Sequence, residues 1–99
     1  MRLSSESRTR IKDVTQSVFG DNASVCLFGS RLDEMAKGGD IDLLIILETP
    51  TADAAALNAR YNALLQMKLG LQKIDVLVVD PSTELKPIHQ HALATAVRL

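Results

Sequence analysis

Three aspartates and a glycine-serine pair are the residues of this 99-residue chain whose types and spacing could do chemistry together. Asp40 and Asp42 flank Ile41 at the head of the apolar run Ile41 to Leu47, and Asp75 lies in the next apolar run, Ile74 to Val79. In an extended strand, side chains two apart face the same side at about 6 to 7 Å, so both carboxylates reach into one cluster while Ile41 points to the core. Oxygen clusters of this kind suit hard Mg2+, which keeps some of its water and bridges to phosphate oxygens. Two such ions about 3.5 to 4 Å apart activate an attacking hydroxyl and stabilise a leaving pyrophosphate. Asp75 is expected to complete the cluster from the neighbouring strand and to take the proton from the attacking hydroxyl. Upstream, Gly29 lets the backbone approach a triphosphate without a Cβ, and Ser30 offers a hydroxyl and a helix-start N–H to phosphate oxygens. Arg31 adds charge for the same anion, and Gly38 and Gly39 let the chain return tightly to Asp40. The chemistry expected of this set is nucleotidyl transfer.

The elements that must position these residues can be read from periodicity. Leu3, Ile11, Val14, Val18 and Phe19 fall near helical spacing, which predicts a helix over 5–19 with Ser4 or Ser5 as N-cap and Gly20 as stop. A first strand follows over 23–28, ended by the Gly29-Ser30 turn, and a short helix capped by Ser30 is expected over 31–36. Residues 41–47 are apolar at nearly every position, as in a central strand covered on both faces. A long helix is predicted over 51–69 and stopped by Gly70, then a third strand over 74–79, a turn at 80–82 and a last helix over 86–98 with Pro87 in its first turn. Ser30 ends its strand whereas the acids begin theirs, so the first strand must run antiparallel to the second and third. The long helix is then a right-handed crossover between parallel strands. The fold class expected is α/β (α+β), a mixed three-stranded sheet packed by about four helices, in one domain spanning 1–99.

Composition narrows the partners. At 46% hydrophobic and 23% charged the chain has globular composition, and a net charge of −1 gives a polyanion no general reason to bind. A small nucleotide or a protein is the expected partner, with no direct nucleic-acid binding and no membrane association. The single cysteine, Cys26, lies in the apolar run 23–28 and reads as a core residue in a reducing cytoplasm. His89 and His91, two apart on a helix, face different directions and do not form a ligand pair. Glu34 and Lys37 read as solvated charges, and Tyr61 as a surface or packing residue.

The ordered set Gly29-Ser30-Arg31, Gly39-Asp40-Ile41-Asp42-Leu43-Leu44-Ile45 and Asp75 resembles the minimal nucleotidyltransferases of the DNA polymerase beta superfamily over nearly the whole chain. The segment Leu32 to Lys37 is bulkier and more charged than the small-residue spacer common there. The resemblance implies a nucleotidyltransferase fold, with Asp40, Asp42 and Asp75 holding two Mg2+ ions with bound nucleotide and Gly29, Ser30 and Arg31 at the phosphates. It also implies an antitoxin that moves AMP from ATP, or from another nucleoside triphosphate its own nucleotide, to a tyrosine on a helical ribonuclease toxin. Two alternatives stay open: a module that neutralises its partner by contact alone, and the nucleotide-transfer subunit of a larger assembly.

Overall fold

In the computed structural model, which describes residues 1–35 and 39–99, the chain forms a mixed four-stranded sheet between two helical layers. The first helix, α1 (Ser5–Phe19), starts where Ser4 Oγ accepts the Ser7 N–H at 3.1 Å. It stops at Gly20, whose φ of +88° suits glycine and whose N–H donates to Gln16 O. Strand β1 (Ala23–Phe28) leads into a 3-10 turn (Gly29–Leu32), and β2 (Ile41–Leu47) returns antiparallel to β1. Helix α2 (Ala54–Leu69) then crosses over to β3 (Ile74–Val79), which pairs parallel to β2. Helix α3 (Pro87–Thr95) and a two-residue strand, β4 (Val97–Arg98), complete the sheet in the order β3-β2-β1-β4. The expected strand directions hold.

Strand alternation sorts the side chains into two cores. Val25, Leu27, Leu43, Ile45 and Ile74 face Ile11 and Val14 of α1 and Tyr61 and Leu65 of α2. On the opposite face Cys26, Phe28, Leu44 and Val79 pack beneath Ala92 of α3, and burial pushes the Cys26 thiol up. Leu43, Leu44 and Ile45 are each fully buried, which is why β2 reads as an unbroken apolar run. Among the described residues one buried side-chain pair crosses the α1–α2 interface. The Thr15 hydroxyl donates to Ile11 O at 2.7 Å, so its contact with Tyr61 at 2.7 Å must be donated by the Tyr61 hydroxyl. Burial pushes that phenol up to about 12.

Several expectations need correction. The helix expected over 31–36 is instead the 3-10 turn, which closes when the Asp33 N–H donates to Ser30 O at 3.0 Å; Ser30 lies within it rather than capping it. Asp33 is extended and its carboxylate accepts the Met35 N–H, a local turn that competes with helix. Ala36, together with Lys37 and Gly38, lies outside the described residues. The long helix begins at Ala54, not 51, because Asp53 caps it by accepting the Ala56 N–H. The last helix ends at Thr95 rather than 98. Val97 and Arg98 pair with Leu27 and Cys26, and the Leu99 N–H donates to Val25 O, so the tail gives β1 a second neighbour. The sheet therefore has four strands rather than three, and among the described residues there are three α-helices rather than about four. Among the described residues no helix is long and apolar enough to cross a membrane.

The Thr15–Tyr61 contact yields a stability prediction. Tyr61→Phe keeps the ring packed against Phe19, with centroids 5.2 Å apart, but removes one buried hydrogen bond. It is expected to cost about 1 kcal/mol, read by thermal denaturation as a fall of about 4–8 °C.

Candidate functional site

The ends of three strands meet on the α3 face of the sheet. Phe28 ends β1 opposite Asp42, and Asp42 in turn lies in register with Asp75 on β3. By strand parity Asp42 shares its face with Leu44, and Asp75 with Leu77, so the two acids form the first row of a face whose next rows are apolar. Nine-residue α3 packs over those deeper rows. Asp42 is half-buried and Asp75 exposed.

Gly29 adjoins this pair at close range. Its φ is +79°, and a Cβ there would overlap Asp42 Oδ2 and lie 3.1 Å from Asp42 Cγ. Two independent requirements, a positive φ and room for a carboxylate, therefore call for glycine at this position. Gly39, with φ of +94°, makes the same kind of approach to Ser30, since a Cβ would overlap the Ser30 hydroxyl. The Gly29-Ser30 turn thus touches both sides of the acidic segment: Gly29 the carboxylate of Asp42, and Ser30 the residue just before Asp40.

The acids are not equivalent. Burial raises the Asp42 carboxyl above its ordinary 3.8, and the negative charges of Asp75 and Asp40 push it further, as does a hydrogen bond to Asp75. The Lys73 ammonium opposes this. Asp40 Oδ2 lies 3.4 Å from Lys73 Nζ. Among the described residues no group of three or more acids or other ligating side chains stands ready to hold a metal ion. The structure brings Asp42 and Asp75 together with Gly29, and leaves Asp40 turned toward a lysine at the rim.

Arg31 lies in the same turn as Gly29. Its Nε donates to Gly39 O at 3.3 Å and its Nη1 to Arg2 O at 3.0 Å, so the guanidinium braces the loop. Lys73 and Arg2 were not apparent as site residues from the sequence. For Lys73 a signal existed, because it lies two residues before Asp75 and so on the same side of an extended chain. For Arg2 there was none. His89 lies elsewhere, its Nδ1 accepting the Lys86 N–H at the start of α3.

Asp42 and Asp75 thus lie at the starts of the parallel pair β2 and β3, beside the glycine-serine turn that follows antiparallel β1. The profile of the nucleotidyltransferase domain matches residues 8–97, and the chain belongs to that family. It is accordingly a transferase of nucleotidyl groups with a nucleoside triphosphate as substrate, and the family generally uses Mg2+. A search of curated proteins found no match.

Two measurements test this geometry. Gly29→Ala and Gly20→Ala both strain a positive φ, but nothing lies within 4 Å of a Cβ at Gly20. Gly29→Ala should therefore lose about 1 kcal/mol or more beyond Gly20→Ala in denaturant titrations, since it also displaces Asp42. Asp42→Asn should raise the melting temperature by a few degrees at neutral pH without added metal, because it relieves repulsion while retaining a hydrogen-bond donor for Asp75. The sign follows from linkage. A carboxyl whose folded value is raised binds more protons folded than unfolded, so its penalty is fully present above that raised value. The penalty fades as pH falls toward the ordinary 3.8, and the advantage of Asn should shrink over the same range.

Proposed function

We propose that Asp40, Asp42 and Asp75 are the catalytic acids of a Mg2+-dependent transfer of a nucleoside monophosphate, AMP from ATP, to a hydroxyl. The acceptor proposed is a tyrosine of a helical toxin, with this chain as its antitoxin. The observation that carries the reading is the register pair Asp42–Asp75 against Gly29. Two carboxylates placed side by side at a cost in electrostatic energy suit a cation that neutralises both. Their hard oxygen donors fit Mg2+, with Asp40 joining once it turns from Lys73. Magnesium would supply charge neutralisation at the triphosphate and at the attacking oxygen.

The residues of the chain divide the remaining work. Gly29 admits the phosphates close to the backbone and the Ser30 hydroxyl donates to a phosphate oxygen. Asp75, exposed at the rim, accepts the proton of the acceptor hydroxyl. The hydroxyl oxygen forms a bond to the α-phosphorus as the bond from that phosphorus to the bridging oxygen breaks, and pyrophosphate leaves with the electron pair. Arg31, whose guanidinium also braces the turn, adds positive charge for the same phosphates.

A second reading, neutralisation of the partner by contact, draws support from α3. Ile88 is 56% and Leu93 39% exposed there, apolar surface that the sheet does not use.

Incubation with α-labelled ATP, Mg2+ and the protein encoded beside this chain separates the two. Label is expected on the neighbour, with the rate falling at least about a hundredfold in Asp40→Asn, Asp42→Asn and Asp75→Asn. Rates at the wild-type level in all three variants reject the acid assignments. Neutralisation that persists without ATP and in all three variants favours the contact reading.

A further inference from the structure

The segment ahead of α1 is tied to the Gly29-Ser30 turn and the residues after it by four hydrogen bonds across about thirty residues of sequence. The Arg2 main-chain N–H donates to Arg31 O at 2.6 Å, its side-chain Nε to Asp33 O at 2.8 Å and its Nη2 to Ser30 O at 3.1 Å. In return Arg31 Nη1 donates to Arg2 O at 3.0 Å, and Arg31 Nε to Gly39 O at 3.3 Å. Each arginine thus holds the other's backbone, and between them they hold Ser30, Asp33 and Gly39. We propose that Arg2 is a positioning residue for nucleotide binding: its guanidinium fork fixes the Gly29-Ser30 turn from outside the sheet, with Arg31 as the other half of the clasp. The role at the phosphates rests on the nucleotidyl-transfer reading, whereas the clasp itself does not.

Neither the turn itself nor the sheet holds Ser30 in place. The 3-10 segment is four residues long and lacks a side-chain cap, so little local structure fixes Ser30. The β1–β2 ladder ends at the pair Phe28–Asp42, so Ser30 is beyond its reach. A planar guanidinium satisfies two carbonyls at fixed separation, which an ammonium on a flexible stem does not reproduce. Arg2 also precedes residues 8–97, so the family match does not include it.

The test uses the full chain with Arg2→Ala and Arg2→Lys, and reads amide exchange by NMR alongside Mg·ATP affinity by calorimetry. Both variants should speed exchange of the Asp33 amide about tenfold or more, since its acceptor is Ser30 O, and both should weaken Mg·ATP about tenfold. Exchange at Leu44 and the melting temperature should stay close to wild type. An unchanged Asp33 amide in Arg2→Ala overturns the clasp. Full recovery of affinity in Arg2→Lys overturns the fork and leaves charge alone as the contribution. If the wild-type chain binds no Mg·ATP, the nucleotidyl-transfer reading and the role at the phosphates both fall, while the exchange arm still decides the clasp.

Discussion

Two carboxylates held in register on adjacent parallel strands form the constraint on which the rest of the site depends. Asp42 and Asp75 are brought together by the β2–β3 ladder, whose hydrogen bonds fix their spacing regardless of their repulsion. Parallel pairing requires a crossover, and α2 provides it between Leu47 and Ile74. Antiparallel β1 then delivers its carboxyl end, and with it Gly29, to the edge where β2 and β3 begin. Strand direction and the residue at 29 are therefore one condition. Reversing β1 would put Gly29 at the opposite end of the strands, away from Asp42.

The like-charge row survives because its costs and supports fall on different parts of the structure. Behind it, Leu44 and Val79 bury apolar area beneath Ala92, and a buried side chain of that size contributes about 1.5–3 kcal/mol each. In front of it, solvent reaches Asp75, and Lys73 offsets part of the charge from the rim. The Lys73 side chain is 73% exposed, so its ion pair with Asp40 is weak and readily exchanged for another partner. Asp40 is correspondingly the adjustable member of the trio, while Asp42 and Asp75 are set by the ladder.

What the sequence revealed follows the range of the forces involved. The boundaries of α1, β1, β2 and β3 were readable because a single periodicity of burial runs through each, and the strand directions followed from requiring Asp40, Asp42 and Asp75 to meet Ser30. The end of α3 was not readable, because Val97 and Arg98 have no strand signal of their own. They are extended because β1 needs a partner along its outer edge, and Leu99 supplies a further N–H to it. Within the site, Asp42 and Asp75 stand together, as two apolar runs each with an acid near its start had suggested. The pairing of Asp40 with Lys73 is a side-chain contact between strand entrances, which no periodicity reports. The charge of Arg31 is legible in the sequence, whereas the carbonyls of Arg2 and Gly39 that engage it are set by the fold.

The two halves of the site are consequently held by different physics. The acids sit on a ladder whose backbone bonds open only with the sheet, and such positions are suited to a fixed charge geometry. The Gly29-Ser30 turn sits on side-chain bonds from Arg2 and Arg31, which lie outside the ladder. The arginine clasp fixes Ser30 where the ladder does not reach, while the ladder fixes the spacing of the acids. Placing the turn beyond the last β1–β2 pair, yet with Gly29 against Asp42, brings the two supports to neighbouring residues. Ser30 is thereby placed by the side chain of Arg2, and Gly29 by the carboxylate of Asp42 that leaves no room for a Cβ.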